Sequence, residues 1–315
     1  MQSIERKISG TLDKDRGISG MKREFKKNGI LYLIVLPVIV YYFIFHYMPL
    51  YGLLMAFQDF SPRRGISGSD WVGLTHFINF FRSPDFARVV TNTLRISLSC
   101  LVFEFPAPII MAILINELNG KYFKRTIQTI SYLPHFISLV VICGMIKTFV
   151  EPDGIIGSVF AKITGNGSSM LSQSKMFLPI YVVSNIWQSI GWESIIYLAA
   201  LMNIDPQLYE AADIDGAGGI KKFFYVTLPL MCPSVKIIVV TGLIGGMKVF
   251  DIIYSMTSGG PGNATETVMT VMMKKGISDG FYSTGSAFGV CFFAIVLVIS
   301  AVVTKLMGKW SDSIQ

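Results

Sequence analysis

Six long apolar stretches, spaced by shorter polar ones, set the pattern of this chain. They lie at about residues 29–50, 93–117, 127–149, 178–202, 235–257 and 286–307. Each run is apolar on all sides, so periodicity cannot separate helix from strand, and length has to decide. A bilayer core about 30 Å thick takes about 20 apolar residues per helical crossing. A closed barrel would instead show alternating runs of about ten residues. The pattern predicts an all-α membrane protein with six transmembrane helices at residues 29–315, preceded by a polar tail at 1–28. Prolines at 37, 106, 108, 134 and 179 are expected to kink these helices. Gly242, Gly245 and Gly246 are expected to allow close helix contact.

Composition sharpens this picture. Of 315 residues, 52% are hydrophobic and only 15% are charged, against about 25% charged in soluble domains. Lys and Arg are distributed unevenly. With the N-terminus in the cytoplasm, 16 of the 27 lie in or beside the inner segments and 8 in the outer ones. The other three, Arg95, Lys147 and Lys248, lie within spans. Positive residues mark the cytoplasmic side, so both termini are expected inside. The net charge of +7 then reads as topology and contact with anionic lipid, not nucleic-acid binding. The first apolar run is too long for a cleavable signal and is expected to stay as an anchor. Cys100, Cys143, Cys232 and Cys291 lie in or beside spans, which predicts no disulfide framework. His46, His76 and His135 are too scattered for a metal site.

One stretch does not belong in lipid. Residues 203–233, "NIDPQLYEAADIDGAGGIKKFFYVTLPLMCP", read as two short helices joined by a tight turn. Asp205 caps the first helix and Pro206 opens it. Gly216 supplies the turn, and Leu228-Pro229 is expected to end the second helix. Leu208, Ala211, Ala212 and Ala217 form a small apolar knob beside the charge of Glu210.

The order Glu210-Ala211-Ala212, three residues, Gly216, nine further residues, Val226, then Leu228-Pro229, resembles the EAA loop of permease subunits of binding-protein-dependent ABC importers. The segment "KVFDIIYSMTSGGPGNATETV" at 248–268 is similar to the carbohydrate branch of that family, which handles di- and oligosaccharides. The stretch 31–60 resembles its LplB-type subfamily. The resemblance implies a type I ABC importer permease fold in a bacterial cell membrane, with no cofactor. It also implies a second homologous permease, a cytoplasmic ATPase dimer and an extracytoplasmic sugar-binding lipoprotein as partners. Glu210, Ala211, Ala212 and Gly216 would dock into the ATPase, and Leu228-Pro229 would transmit the motion. No G-x-x-x-x-G-K-[ST] occurs in the chain, so it offers no phosphate-cradling loop of its own, and no catalytic residue is assigned.

Ionisable residues at membrane depth need a partner or a wet path. Glu104 falls in the second run, Glu193 in the fourth, and Lys248 and Asp251 in the fifth. The last two are three apart and are expected to pair on one helix face. Trp187, Gln188 and Glu193, with Lys248, Asp251 and Tyr254, combine hydrogen-bonding groups with flat apolar faces, as a sugar path requires. An ion-pair and packing role for the same residues remains the alternative. Lys248 and the basic "SPRRG" at 61–65 would suit acidic oligosaccharides. The rivals are an importer of the same type for a non-sugar solute, and an ion-coupled secondary transporter, which would need midplane ion ligands and internal repeats.

Overall fold

The computed structural model describes residues 27–314; the tail as far as residue 26, with most of its positive cluster at 21–28, lies outside them. Apart from a two-residue β-ladder, the regular structure is helical. Helix α1 (Gly29–Tyr42) continues through a wide π turn (Phe43–Tyr47) and a 3₁₀ stretch (Met48–Phe57) into one apolar rod. Strands β1 (Gln58–Asp59) and β2 (Asp70–Trp71) pair antiparallel, and Arg64 bridges to Asp70 at 2.5 Å. Helix α2 (Thr75–Arg82) then places Phe80 against Phe288, ring centres 4.1 Å apart.

Ser83 caps α3 (Pro84–Phe103) by accepting from the Asp85 N–H at 3.2 Å, with Pro84 at the first helical position, where its missing donor costs nothing. After a short break at Glu104 and Phe105 the chain continues as α4 (Pro106–Glu117). Next come α5 (Lys121–Tyr132), α6 (Leu139–Val150), α7 (Ile155–Thr164) and α8 (Phe177–Met202). They are followed by α9 (Pro206–Ile214), α10 (Gly219–Lys222), α11 (Leu228–Met247), α12 (Asp251–Thr257), α13 (Val268–Met273) and α14 (Tyr282–Ile314). Ile115, Tyr197, Leu201 and Val235 knit α4, α8 and α11 into one core.

Among the described residues, four helices are long and apolar enough to cross a membrane: Gly29–Phe57, Pro84–Glu117, Gly219–Met247 and Tyr282–Lys309. A fifth candidate is the pair Lys121–Phe136 and Leu139–Thr164, bent by 97°. The third expected span, 127–149, is therefore not one straight helix. Pro134 sits in a 3₁₀ turn (Leu133–Phe136), and Ser138 restarts the chain as the cap of α6. The fourth expected span is the unbroken 26-residue α8, about 39 Å long at 1.5 Å per residue, whose apolar character Asn185, Gln188 and Glu193 dilute. The fifth stops early, at Met247.

One local expectation is also corrected. Leu228-Pro229 does not end a helix. Pro229 follows a wide turn (Phe223–Thr227) that changes the local bonding pattern where the proline withdraws its N–H. Helix α10, that turn and α11 thus form one 29-residue rod, Gly219–Met247. The Gly- and Ser-rich segment at 151–169 holds α7, because Phe160 seats on the core of α6 and α8.

Candidate functional site: a helical hairpin and a polar cleft

The first feature is the hairpin of α9 and α10. Asp205 accepts from the Gln207 N–H at 2.9 Å, which satisfies one of the orphan donors of the first turn. At the other end the Ala217 N–H reaches Ala212 O at 2.9 Å and the Gly216 N–H reaches Asp213 O at 3.0 Å. This is a Schellman closure, and it needs Gly216 at φ 71°. Two ties hold α9 to the rod that follows: Tyr209 Oη lies 2.9 Å from Thr227 Oγ1, and Lys222 pairs with Asp213. Glu210, Ala211 and Gly216 are exposed, whereas Ala212, Leu228 and Pro229 are half-buried. Ile214 and Ile220 are 88% and 78% exposed, so the hairpin carries an uncovered apolar surface.

The second feature is a cleft of about 400 Å³ where α3, α8 and α11 meet the start of α12. Glu104, Asn185, Glu193, Lys248 and Asp251 line it, with Tyr181 and Phe250 as aromatic walls. Asn185 Nδ2 donates to Glu104 Oε2 at 2.7 Å. The other Glu104 oxygen is buried without a hydrogen-bond partner among the described residues. Gly242 and Gly245 open onto the cleft, with nothing within 4 Å of where a Cβ would sit. They make room here instead of joining helices.

The expected path residues thus separate. Glu193, Lys248 and Asp251 come together at the cleft. Tyr254 stacks on Phe250, ring centres 5.2 Å apart. Gln188 is half-buried, three residues beyond Asn185 and so on the same helix face. Trp187 is not at the cleft: it lines a separate apolar groove with Met145, Phe149, Pro179 and Val183. Lys248 and Asp251 do not form the expected pair among the described residues. The helix ends between them, and Phe250 at φ −131°, ψ −57° turns the chain, so the i,i+3 geometry does not exist. Sequence reasoning left out Asn185 and Tyr181. Asn185 was findable as an amide inside an apolar run, eight residues before Glu193.

The "TSGGPGNATET" segment serves as a structural staple. Thr257 and Thr265 hydroxyls meet at 2.9 Å, Asn92 donates to Glu266 O at 3.0 Å, and the Val268 N–H donates to Thr93 at 3.1 Å. Buried Glu266 takes Arg88 at 2.9 Å, tying the segment to α3. Elsewhere, His135 stacks on Trp192 at 4.7 Å, and the four cysteines are buried and unpaired.

A bundle of long apolar helices, an exposed capped hairpin and a polar cleft between helices define a membrane permease component. Residues 104–313 match the family described as binding-protein-dependent transport system inner membrane component, and the chain belongs to that family. It is 36% identical to Protein LplB of Bacillus subtilis (strain 168), over 99% of this chain and 98% of that one. It is 34% identical to the polygalacturonan/rhamnogalacturonan transport system permease protein YteP of the same organism, over 90% and 88%. Among solved structures it resembles a chain of a bacterial ABC transporter involved in import of the acidic polysaccharide alginate. That match has a TM-score of 0.82 and 34% identity, covering 92% of this chain and 98% of that one. A second match, TM-score 0.81, is to that transporter in complex with an alginate pentasaccharide-bound periplasmic protein. The chain is a transport subunit of an ABC importer and not an enzyme; in these importers the ATPase is a separate subunit.

Proposed function

We propose that this chain forms half of the translocation path of an ATP-driven carbohydrate importer, with six spans and both termini in the cytoplasm. The cargo is an oligosaccharide delivered by an extracytoplasmic binding protein. A homologous permease supplies the other half, and a cytoplasmic ATPase dimer grips the hairpin through Glu210, Ala211, Ala212 and Gly216. The observation that carries this reading is the continuity of the Gly219–Met247 rod, which links the hairpin at one end to Lys248 and the cleft at the other.

The mechanism follows from that continuity. Closure of the ATPase dimer displaces the hairpins, and each rod carries the displacement about 40 Å, its length at 1.5 Å per residue. The wide turn at Phe223–Thr227 and the break at Lys248–Phe250 are the places where the rod can bend. A loaded binding protein favours the outward-open state only by binding it more tightly, and by reciprocity raises ATP hydrolysis inside. In the cleft, carboxyl and amide groups meet sugar hydroxyls, while Tyr181 and Phe250 face the C–H surfaces.

Uptake by the whole importer with Ala211→Trp tests the reading. A bulky ring on the exposed knob blocks docking, so uptake is expected to fall at least roughly tenfold, a loss of about 1.4 kcal/mol or more of docking energy. Wild-type uptake would contradict the assignment.

A further inference from the structure

The charge balance of the cleft narrows the cargo. The proposal rests on the reading of this cleft as the sugar path. Four ionisable side chains carry its charge: Glu104, Glu193 and Asp251, all acidic, and Lys248. With every group ionised the wall has a surplus of two negative charges. With Glu104 and Glu193 protonated, Lys248 and Asp251 cancel. In neither state does the lining hold net positive charge. A polyuronate brings one carboxylate per sugar ring, and a path for it needs a surplus of cations, because an anion leaving water for a partly desolvated site must be paired.

The basic 61–65 segment does not supply that surplus here. Arg64 is engaged by Asp70, and neither arginine of that segment lines the cleft. The cationic cluster near the staple is likewise committed: Arg88 to Asp85 at 2.7 Å and Glu266 at 2.9 Å, Lys275 to Asp85 at 3.2 Å. What the cleft does offer is a set of hydroxyl partners, Glu104, Asn185, Glu193 and Asp251, beside the rings of Tyr181 and Phe250. Carboxyl and amide groups beside aromatic walls fit an uncharged polyol with flat C–H faces.

We infer that this subunit's half of the path favours neutral oligosaccharides and disfavours uronate-containing ones, through Glu193 and Asp251 in particular. The relatives named for polygalacturonan and alginate handle acidic glycans, so the inference separates this chain from them in cargo charge while keeping the machine the same.

The test uses the whole importer in proteoliposomes, with its own binding protein and ATPase. Uptake of neutral galacto-oligosaccharides is compared with that of oligogalacturonates of equal length. The wild type is expected to favour the neutral series at least roughly tenfold, a difference of about 1.4 kcal/mol. Glu193→Gln with Asp251→Asn is expected to narrow that ratio at least threefold. The ratio is internal to each preparation, so a loss of folded protein cancels. Equal or preferred uronate uptake by the wild type would overturn the inference. So would an unchanged ratio in the double variant, which would place the selectivity elsewhere. Import of a non-sugar solute with neither glycan moving would instead overturn the carbohydrate reading beneath it.

Discussion

Removing one oxygen atom from Tyr209 tests whether the hairpin moves as one body with α11. Its hydroxyl meets Thr227 Oγ1 at 2.9 Å across the joint between α9 and the wide turn. Thr227 is only 6% exposed, so water cannot easily replace the lost partner. Its remaining bond, to Lys222 O, is long at 3.4 Å. Tyr209→Phe should therefore cost about 1 kcal/mol at the joint, which is roughly a fivefold gain in hairpins disengaged from the rod. The second tie, Lys222 to Asp213, has an aspartate side chain 63% exposed and compensates little, because exposed ion pairs are weak. The assay is sugar taken up per ATP hydrolysed, in proteoliposomes with loaded binding protein. Hydrolysis should persist while the ratio falls about two- to fivefold, in line with that loosening. Thr227→Val should give the same fall, and the double variant no further one. An unchanged ratio would refute rigid transmission through this joint. So would an equal fall in Tyr225→Phe, where the tyrosine is 81% exposed.

Two further predictions concern the staple between α12 and α13. Gly260 sits at φ 73°, and a Cβ there would lie 2.5 Å from Thr265 Oγ1. Gly260→Ala should cost about 2 kcal/mol or more, seen as a lower thermal midpoint of the purified complex; an unchanged midpoint would mean the loop is not held as described. Arg88→Met should destabilise by about 2 kcal/mol, since it strips buried Glu266 of its near partner at 2.9 Å and leaves Lys274 at 3.7 Å. Glu266→Gln should be milder, because Arg88 keeps Asp85 at 2.7 Å, and the reverse order in unfolding measurements would contradict the charge argument.

The parts of this fold that the sequence revealed are those set by local chemistry. Asp205, Pro206 and Gly216 each carry a strong terminus or turn signal, and the hairpin follows from them. Helix α8 was legible from length, despite its polar positions. The breaks were legible only in part. Pro134 marked a kink in the third run but not a 97° turn, and Lys248 stood out as a charge without any sign that the helix ends at Met247. Those turns depend on what the neighbouring helices present. The same limit explains the site. Glu193 and Asp251 stood out as charges in apolar surroundings, and both reach the cleft. Trp187 stood out for the same kind of reason and faces another groove, because one residue's step around a helix is about 100° and only the packing fixes the zero.

If the hairpin is the grip for a separate ATPase, removing it must release that subunit. The most direct measurement is the amount of ATPase retained when the membrane complex is purified through this chain, with residues 206–218 intact or replaced by a flexible polar linker of equal length. Stoichiometric ATPase is expected with the native hairpin and little with the linker. Equal retention in both, with undiminished sugar import, would contradict that role.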